Sequence, residues 1–246
     1  MHTEWLFRID RWLGGVLLLF CRRRKRRVLP PSPRTILIFK FMGGGSITVA
    51  GPLLLALRRK HPDARLVLVC TSQVAVHAEL LGLFDRIEAV NDRGMFRLAL
   101  SLAAILLRCR NLRPELSLNL EVYSRVAVFC AMLAGGRFRA GFHLENEATV
   151  AGCYDAALPF DRRGRVFERY DALAELLAAP LPEPEALRER IGRAVASPPE
   201  SEPLLVAAPF CSALSFLRRW EFAAWSRFLA GFLAAHPDWR AVVIGG

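Results

Sequence analysis

From residue 35 onward, short and continuously apolar runs alternate with longer stretches that have a helical period. The apolar runs predict β-strands at 35–41, 64–70, 86–90, 115–121 and 137–142. The helical periods predict helices at 46–60, 73–82, 95–110, 123–134 and 165–178, whereas 143–160 has no regular pattern. Continuous apolar runs are typical of parallel strands that are buried on both faces. The pattern therefore predicts an α/β fold with a doubly wound, mostly parallel sheet.

The pattern restarts after a proline-rich region. Proline-rich segments lie on both sides of a short charged helix, which indicates a linker between domains. A strand at 203–209, a helix at 220–235 and a strand at 241–246 follow, and they predict a second Rossmann-like domain that is incomplete at Gly246. The expected organisation is a membrane-proximal segment at 1–30, an N-terminal Rossmann-like domain at 34–180, a linker at 181–202 and the start of a C-terminal domain at 203–246.

The N-terminus combines a short apolar stretch with a basic run. The stretch from Trp12 to Cys21 is half of the roughly 20 residues that a spanning helix needs, and the basic run 22–27 follows it directly. Basic residues at that place resist translocation, which argues against a cleaved signal peptide. The segment predicts a helix lying on an anionic membrane surface from the cytoplasmic side. A solvated tail or a basic arm that touches nucleic acid is the alternative.

The charge and the cysteine content narrow the possible ligands and partners of the protein. The net charge is +11, but six of the positive charges form the run 22–27, so the high pI is weak evidence for a nucleic-acid partner and none is expected. The six cysteines form no C-x-x-C pair and have no histidine at a zinc-type spacing, which predicts buried, reduced thiols and no bound metal.

Three consecutive glycines, Gly43, Gly44 and Gly45, lie between the first predicted strand and the first predicted helix. They match neither the G-x-x-x-x-G-K-[ST] nor the G-x-G-x-x-G phosphate motif, which disfavours a nicotinamide-dependent oxidoreductase. Backbone N–H groups at such a turn point into the crevice at the carboxyl edge of the sheet, which suits a sugar or an anion. The simpler interpretation is that these glycines only form the turn.

An ordered set of segments resembles glycosyltransferase family 9, the ADP-heptose:lipopolysaccharide heptosyltransferases and their relatives. The segments are ILIFKFMGGGSITVAGPLLLALRRKHPDARLVLV, NLEVYSR, GGRFRAGF, FERYDALAELL and APFCSALSFLRRW. The resemblance implies a GT-B fold, in which the N-terminal domain holds a lipid-linked acceptor and the C-terminal domain holds the nucleotide sugar. It also implies metal-independent transfer with inversion, without a cofactor.

The resemblance places a departure at the presumed catalytic position. In the family the glycine loop ends in Gly-Asp, and that Asp is the general base, but here Ser46 follows Gly45. A hydroxyl cannot deprotonate another hydroxyl at neutral pH without a base of its own. Either Glu121, at the end of the strand 115–121, replaces the base, or Ser46 only orients the acceptor. A solvated loop carboxylate is the simpler interpretation of Glu121.

Several further residues follow from the resemblance as ligand candidates. Arg125 would bind an acceptor carboxylate or phosphate. The expected ligands of the donor diphosphate are Ser212, Ser215, Arg218 and Arg219. Trp220 and Trp225 are expected to anchor the core of the C-terminal domain rather than to stack on a base.

The expected function is transfer of a heptose-like sugar from a nucleotide sugar, such as ADP-heptose, to a lipopolysaccharide-core or related lipid-linked acceptor. The protein is expected to be peripheral on the cytoplasmic face of the inner membrane. The alternative is a non-catalytic, membrane-apposed protein on the same fold, which the serine at position 46 favours. A second alternative, a nucleotide-dependent oxidoreductase, would copurify with a nicotinamide or flavin.

Overall fold

The computed structural model describes residues 10, 12, 14–16, 27–161, 163–194, 203–209 and 220–244. The chain divides into two compact units. One unit contains the described residues up to Ala194, and the other contains those from Pro203 onward.

The first unit is built on a six-stranded parallel sheet with the strand order β3-β2-β1-β4-β5-β6. Its strands are β1 (Thr35–Lys40), β2 (Arg65–Thr71), β3 (Arg86–Val90), β4 (Leu116–Asn119), β5 (Phe138–His143) and β6 (Ala156–Pro159). Central β1 pairs with β2 on one side and with β4 on the other. Its residues from Ile36 to Phe39 are fully buried, as the continuous apolar run predicts.

Helices cover both faces of this sheet. They are α1 (Gly44–Val49), α2 (Gly51–Lys60), α3 (Ser72–Leu81), α4 (Met95–Asn111), α5 (Arg125–Leu133), α6 (Ala148–Ala151), α7 (Val166–Leu176) and α8 (Pro184–Ala194). The larger core lies under α1, α2, α3 and α7. A smaller core on the other face joins α4 and α5 to β1 and β2. This arrangement confirms the predicted α/β, doubly wound parallel sheet.

Two details of the predicted element order were wrong. The single helix predicted at 46–60 is two helices, which meet at Ala50, where Pro52 starts the second as an N-terminal proline. The irregular stretch 143–160 contains the short helix α6 and the sixth strand, β6. β6 is only four residues long and no more than half-buried, so it lacks the apolar run that marks the other strands.

Helix α8, which falls in the predicted linker, packs against α2 and α3 of the first unit. A Cβ on Gly51 would lie 2.7 Å from Cδ2 of Leu187, so the backbone of α2 and this side chain are in close approach. The Arg190 guanidinium donates to the carbonyls of Leu81 and Gly82 at the end of α3. The domain boundaries themselves stay predictions.

The second unit contains β7 (Leu204–Ala207), α9 (Phe222–Ala235) and β8 (Arg240–Val243), with β7 and β8 paired in parallel. The described part of α9 has no buried residue. Trp220 is 56% exposed and contacts Trp225 edge to face at 5.4 Å. Trp220 and Trp225 thus pack on each other, and their expected role as core anchors stays a prediction, whereas the parallel β-α-β order is as predicted.

Four of the cysteines, Cys70, Cys109, Cys130 and Cys153, are free and buried. Burial raises the pKa of the Cys70 thiol to about 12 and that of Cys130 to about 12, so both stay protonated at neutral pH. Cys21 and Cys211 lie outside the described residues. Among the residues that the structure describes, no helix has the length and apolar character needed to cross a bilayer.

Candidate functional site

The candidate site lies where the strand order reverses direction, between β1 and β4. The helices that follow β1 pack on one face of the sheet, and α5, which follows β4, packs mainly on the other. The chain therefore leaves the two neighbouring strands in opposite directions and opens a crevice at their carboxyl ends. Open α/β sheets bind ligands at such a position. The glycine loop and Glu121 both lie at this edge.

Glu121 is buried, and three donors converge on one of its oxygens. Its Oε1 accepts from Lys40 Nζ at 3.1 Å, from the backbone N of Phe41 at 2.7 Å and from the backbone N of Met42 at 2.6 Å. The side chains of Lys40 and Glu121 are 7% and 3% exposed. The interpretation of Glu121 as a solvated loop carboxylate is therefore wrong: the carboxylate binds the start of the glycine loop to β4.

Asn119, the last residue of β4, holds Glu121 in position through hydrogen bonds. Its side-chain oxygen accepts from the backbone N of Glu121 at 3.1 Å, and its Nδ2 donates to the Tyr154 hydroxyl at 2.7 Å. Asn119 is fully buried. Burial raises the pKa of the Tyr154 hydroxyl above its ordinary value, so this tyrosine is neutral and fixes the amide that positions Glu121.

The glycine loop turns sharply after β1. Gly43 has φ of +81°, a left-handed conformation that glycine adopts without strain. Ser46 donates from Oγ to the Gly43 carbonyl at 2.6 Å and lies 3.3 Å from the Met42 carbonyl. The hydroxyl at the presumed base position is therefore engaged with its own loop.

An aromatic wall consisting of Tyr123, Phe142, Phe160 and Tyr170 lies beside the loop. Phe142 contacts both Phe160 and Tyr170 edge to face at 5.9 Å, and Phe160 contacts Tyr123 at 6.1 Å. Burial, and then the negative charge of Glu121, raise the pKa of Tyr170 to about 12, against a hydrogen bond with Ser46 that lowers it. Tyr123 is 48% exposed. Phe142 and Tyr170 are buried in the larger core, so only the exposed Tyr123 and the partly buried Phe160 can pack against the apolar face of a sugar.

Arg125 is the first residue of α5, and its side chain is engaged in an ion pair. Its NH2 nitrogen lies 2.9 Å from Glu147 Oε1, with 26% of the Arg125 side chain exposed. Ser124 caps the helix by accepting from the backbone N of Ala127 at 3.1 Å. Arg125 is therefore held in place and partly accessible, and an anion that binds it would compete with Glu147.

Asp10 holds the N-terminus of α5 from the start of the chain. Its carboxylate accepts from the Ser124 hydroxyl at 2.6 Å and from the backbone N of Arg125 at 2.8 Å. Its Oδ1 also lies 3.2 Å from the backbone N of Val126. A carboxylate at this place satisfies N–H groups that have no partner within the helix. The sequence pattern showed no signal of this contact.

Of the residues predicted for the site, the structure brings together Gly43, Gly44, Gly45, Ser46 and Glu121 at the carboxyl ends of β1 and β4. The expected donor ligands Ser212, Ser215, Arg218 and Arg219 lie outside the described residues, as does most of the segment 1–30. Sequence reasoning missed Lys40, Asn119 and the aromatic wall. A lone lysine within the apolar run 35–41 was the available signal for Lys40, since a charge in a buried strand requires a partner.

The two glycines Gly44 and Gly45 differ in what their surroundings allow, which gives a matched pair of variants. A Cβ on Gly44 would lie 2.7 Å from the His77 ring, whereas one on Gly45 meets no described atom within 4 Å. We expect Gly45→Ala to raise the free energy of unfolding by up to about 1 kcal/mol, because alanine favours the helix. Gly44→Ala should lower it, because the ring must move. Urea denaturation of both variants tests this, and equal shifts would contradict the difference in packing.

No protein-family model matches the chain, and no curated protein matches its sequence. Solved structures do match its fold. A glycosyl transferase family 9 protein from Veillonella parvula DSM 2008 has a TM-score of 0.64 and 14% identity, covering 90% of this chain and 65% of that one. E. coli heptosyltransferase WaaC with ADP has a TM-score of 0.66 and 15% identity, covering 86% of this chain and 68% of that one.

E. coli ADP-heptose lps heptosyltransferase II has a TM-score of 0.61 and 14% identity, covering 86% of this chain and 64% of that one. At such identities the likeness concerns the fold, and this chain spans about two thirds of the length of these structures. The resemblance drawn from the ordered sequence segments is thus confirmed at the level of the fold.

Proposed function

We propose that the chain belongs to a glycosyltransferase that moves a sugar from a nucleotide donor to a lipid-linked glycan acceptor. The crevice between β1 and β4 carries this proposal, because it lies at the strand-order reversal of a fold shared with family 9 glycosyltransferases. WaaC has been solved with ADP and with ADP-2-deoxy-2-fluoro heptose, which supports an ADP-heptose-like donor. Inversion at the anomeric carbon, without a metal or cofactor, is part of the proposal.

In this proposal the first unit receives the acceptor. Gly45 leaves space for the acceptor to approach the backbone, since a Cβ there would meet no described atom within 4 Å. Ser46 orients the attacking hydroxyl, and Arg125 binds an acidic group of the acceptor in exchange for Glu147. Tyr123 and Phe160, the accessible rings of the aromatic wall, pack against the sugar rings.

The donor diphosphate is proposed to bind Ser212, Ser215, Arg218 and Arg219. Hydroxyl and guanidinium groups would neutralise the charge that grows on the leaving nucleotide diphosphate. A lipid-linked acceptor also requires the crevice to be near the membrane. We therefore retain the proposal that residues 1–27 attach the protein to the cytoplasmic face of the inner membrane.

The engagement of Ser46 and Glu121 favours a second candidate function. Ser46 donates to its own loop, and the Oε1 atom of Glu121 already accepts from three donors. To remove a proton through that oxygen, Glu121 would have to give up hydrogen bonds that hold the loop. A non-catalytic protein that binds a sugar nucleotide or glycan on the same fold fits this arrangement.

A transfer assay with the longest form of the protein in its source cells separates the two candidates. We expect labelled sugar to move from ADP-heptose to a lipopolysaccharide-core acceptor, and Arg125→Gln to raise the KM for the acceptor at least tenfold. Arg65→Gln is the matched control, because Arg65 is exposed at the opposite edge of the same sheet. Binding of donor or acceptor without transfer would favour the non-catalytic candidate.

A further inference from the structure

Helix α4 is apolar on two opposite faces. Ile105, Leu106 and Cys109 are buried in the smaller core against the sheet. On the other side Phe96 is 80% exposed, Leu100 63% and Leu107 65%. A surface helix ordinarily places polar residues opposite its buried face, so burial against the sheet does not account for this second apolar face.

The exposed apolar residues form one continuous stripe. Phe96, Leu100 and Leu107 are separated by four and seven residues, which places them on one side of a helix with 3.6 residues per turn. Ala99, Ala103 and Ala104 are also exposed on this side. The stripe runs for about 16 Å along the helix axis. Single exposed leucines are ordinary, but an aligned set of this length indicates an interaction surface.

Arginines flank the stripe and identify its partner. Arg97 and Arg110 are exposed on opposite sides of the apolar residues, and Arg93 is exposed just before the helix begins. Arg108 pairs with Glu88 at 2.7 Å, and the NH1 nitrogen of Arg110 donates to the Leu133 carbonyl at 3.4 Å, so Arg108 is the member of this set held in an ion pair. Helix α4 contains no acidic residue. Apolar residues bordered by cations, with no anions between them, complement a surface whose interior is apolar and whose headgroups are negative.

We infer that the α4 stripe rests on an anionic lipid surface, with Phe96, Leu100 and Leu107 inserted between acyl chains and Arg97 and Arg110 at the headgroup phosphates. At 17 residues and with one face on the sheet, α4 lies on the membrane rather than across it. The inference concerns a surface separate from residues 1–27, and it does not depend on the proposed transfer reaction.

The position of α4 in the fold connects this surface to the crevice. The helix follows β3, so its Phe96 end lies at the carboxyl edge of the parallel sheet, the same edge at which β1 and β4 open. Contact of this end with lipid brings the edge of the crevice towards the headgroups. An acceptor with a lipid tail would thus reach the crevice without leaving the bilayer surface.

A tryptophan reporter in the full chain tests contact at this helix directly. We expect the emission of Phe96→Trp, relative to the parent protein, to shift to shorter wavelength with phosphatidylcholine vesicles that contain phosphatidylglycerol. Brominated acyl chains should quench that emission. Val76→Trp is the matched control, because Val76 is 59% exposed on α3, which packs on the opposite face of the sheet. The control emission should not change.

Several outcomes would overturn the inference. The first is an emission shift at position 76 equal to that at position 96, and the second is no emission shift at position 96. The others are an equal shift with pure phosphatidylcholine vesicles and an absence of vesicle binding. A blue-shifted emission at position 96 before vesicles are added would show that a second copy or another protein segment covers the stripe, and would also overturn it.

Vesicle sedimentation measures the contribution of each side chain. Leu100→Asp should weaken binding to the anionic vesicles about tenfold or more, because it removes an exposed leucine that would insert into the bilayer and adds a negative charge. Arg97→Gln and Arg110→Gln should each weaken it roughly fivefold. Val76→Asp should leave binding unchanged. These residues are exposed, so thermal unfolding of the variants should match the parent, and unchanged binding by Leu100→Asp would contradict the inference.

Discussion

Glu121→Ala is expected to lower the free energy of unfolding by about 3–5 kcal/mol. The substitution leaves the Lys40 ammonium in a buried position without its 3.1 Å partner, and it removes the acceptor for the backbone N–H groups of Phe41 and Met42. An uncompensated buried charge costs far more than the loss of an exposed pair. Urea denaturation, followed by circular dichroism, measures the change.

Two further variants separate the charge from the loop contacts. Glu121→Gln combined with Lys40→Met removes both charges but keeps an amide oxygen for the two backbone donors, so we expect it to recover more than half of the loss. Glu185→Ala removes an exposed ion pair with Arg188, at 3.9 Å, and should change stability within the error of the measurement. A loss in Glu121→Ala no larger than that control would show that the ion pair does not stabilise the loop.

The strands of the first unit were predictable because a strand that is buried on both faces has a continuous run of apolar residues. The strand predicted at 86–90 coincides with β3, and the one at 35–41 exceeds β1 by one residue. The sequence pattern did not predict β6, because its four residues, Ala-Ala-Leu-Pro, are only partly buried at the edge of the sheet. The division of the predicted helix 46–60 into two helices at Ala50 was not predicted, because the helical period of apolar residues continues across that position. Periodicity reports which side chains face the core, and it says little about where the backbone bends.

The site was predictable in place but only partly in chemistry. Glu121 could be placed near the glycine loop, because strand ends meet at one edge of a parallel sheet. The partner of Glu121 could not be predicted. To pair Lys40 with Glu121 one must know that β1 and β4 are neighbours in the sheet, although β2 and β3 lie between them in the chain. The cap that Asp10 supplies to α5 joins positions more than a hundred residues apart. Such contacts depend on topology, which local patterns do not contain.

Ser46→Asp is expected to raise the rate of sugar transfer by about 10²–10⁴-fold, the range of general base catalysis. Ser46 now donates to the Gly43 carbonyl at 2.6 Å. An ionised aspartate cannot donate, so repulsion by the Gly43 and Met42 carbonyls would turn its carboxylate away from the loop and towards the crevice. A negative charge in the first turn of α1 is also compatible with the helix dipole. Initial rates with ADP-heptose and a lipopolysaccharide-core acceptor measure the gain.

Ser46→Asn is the control, because it has a similar size and polarity but no basic oxygen. The two variants together determine which carboxylate serves as the base. If the parent transfers sugar as fast as Ser46→Asp, a base is already present, and Glu121→Gln should then abolish most of that activity while its amide oxygen still accepts from Met42. If Ser46→Asp alone is active, Glu121 positions the loop and position 46 controls the chemistry. If neither the parent protein nor Ser46→Asp transfers sugar although both bind the donor, the glycosyltransferase proposal fails. The non-catalytic binding protein then takes its place.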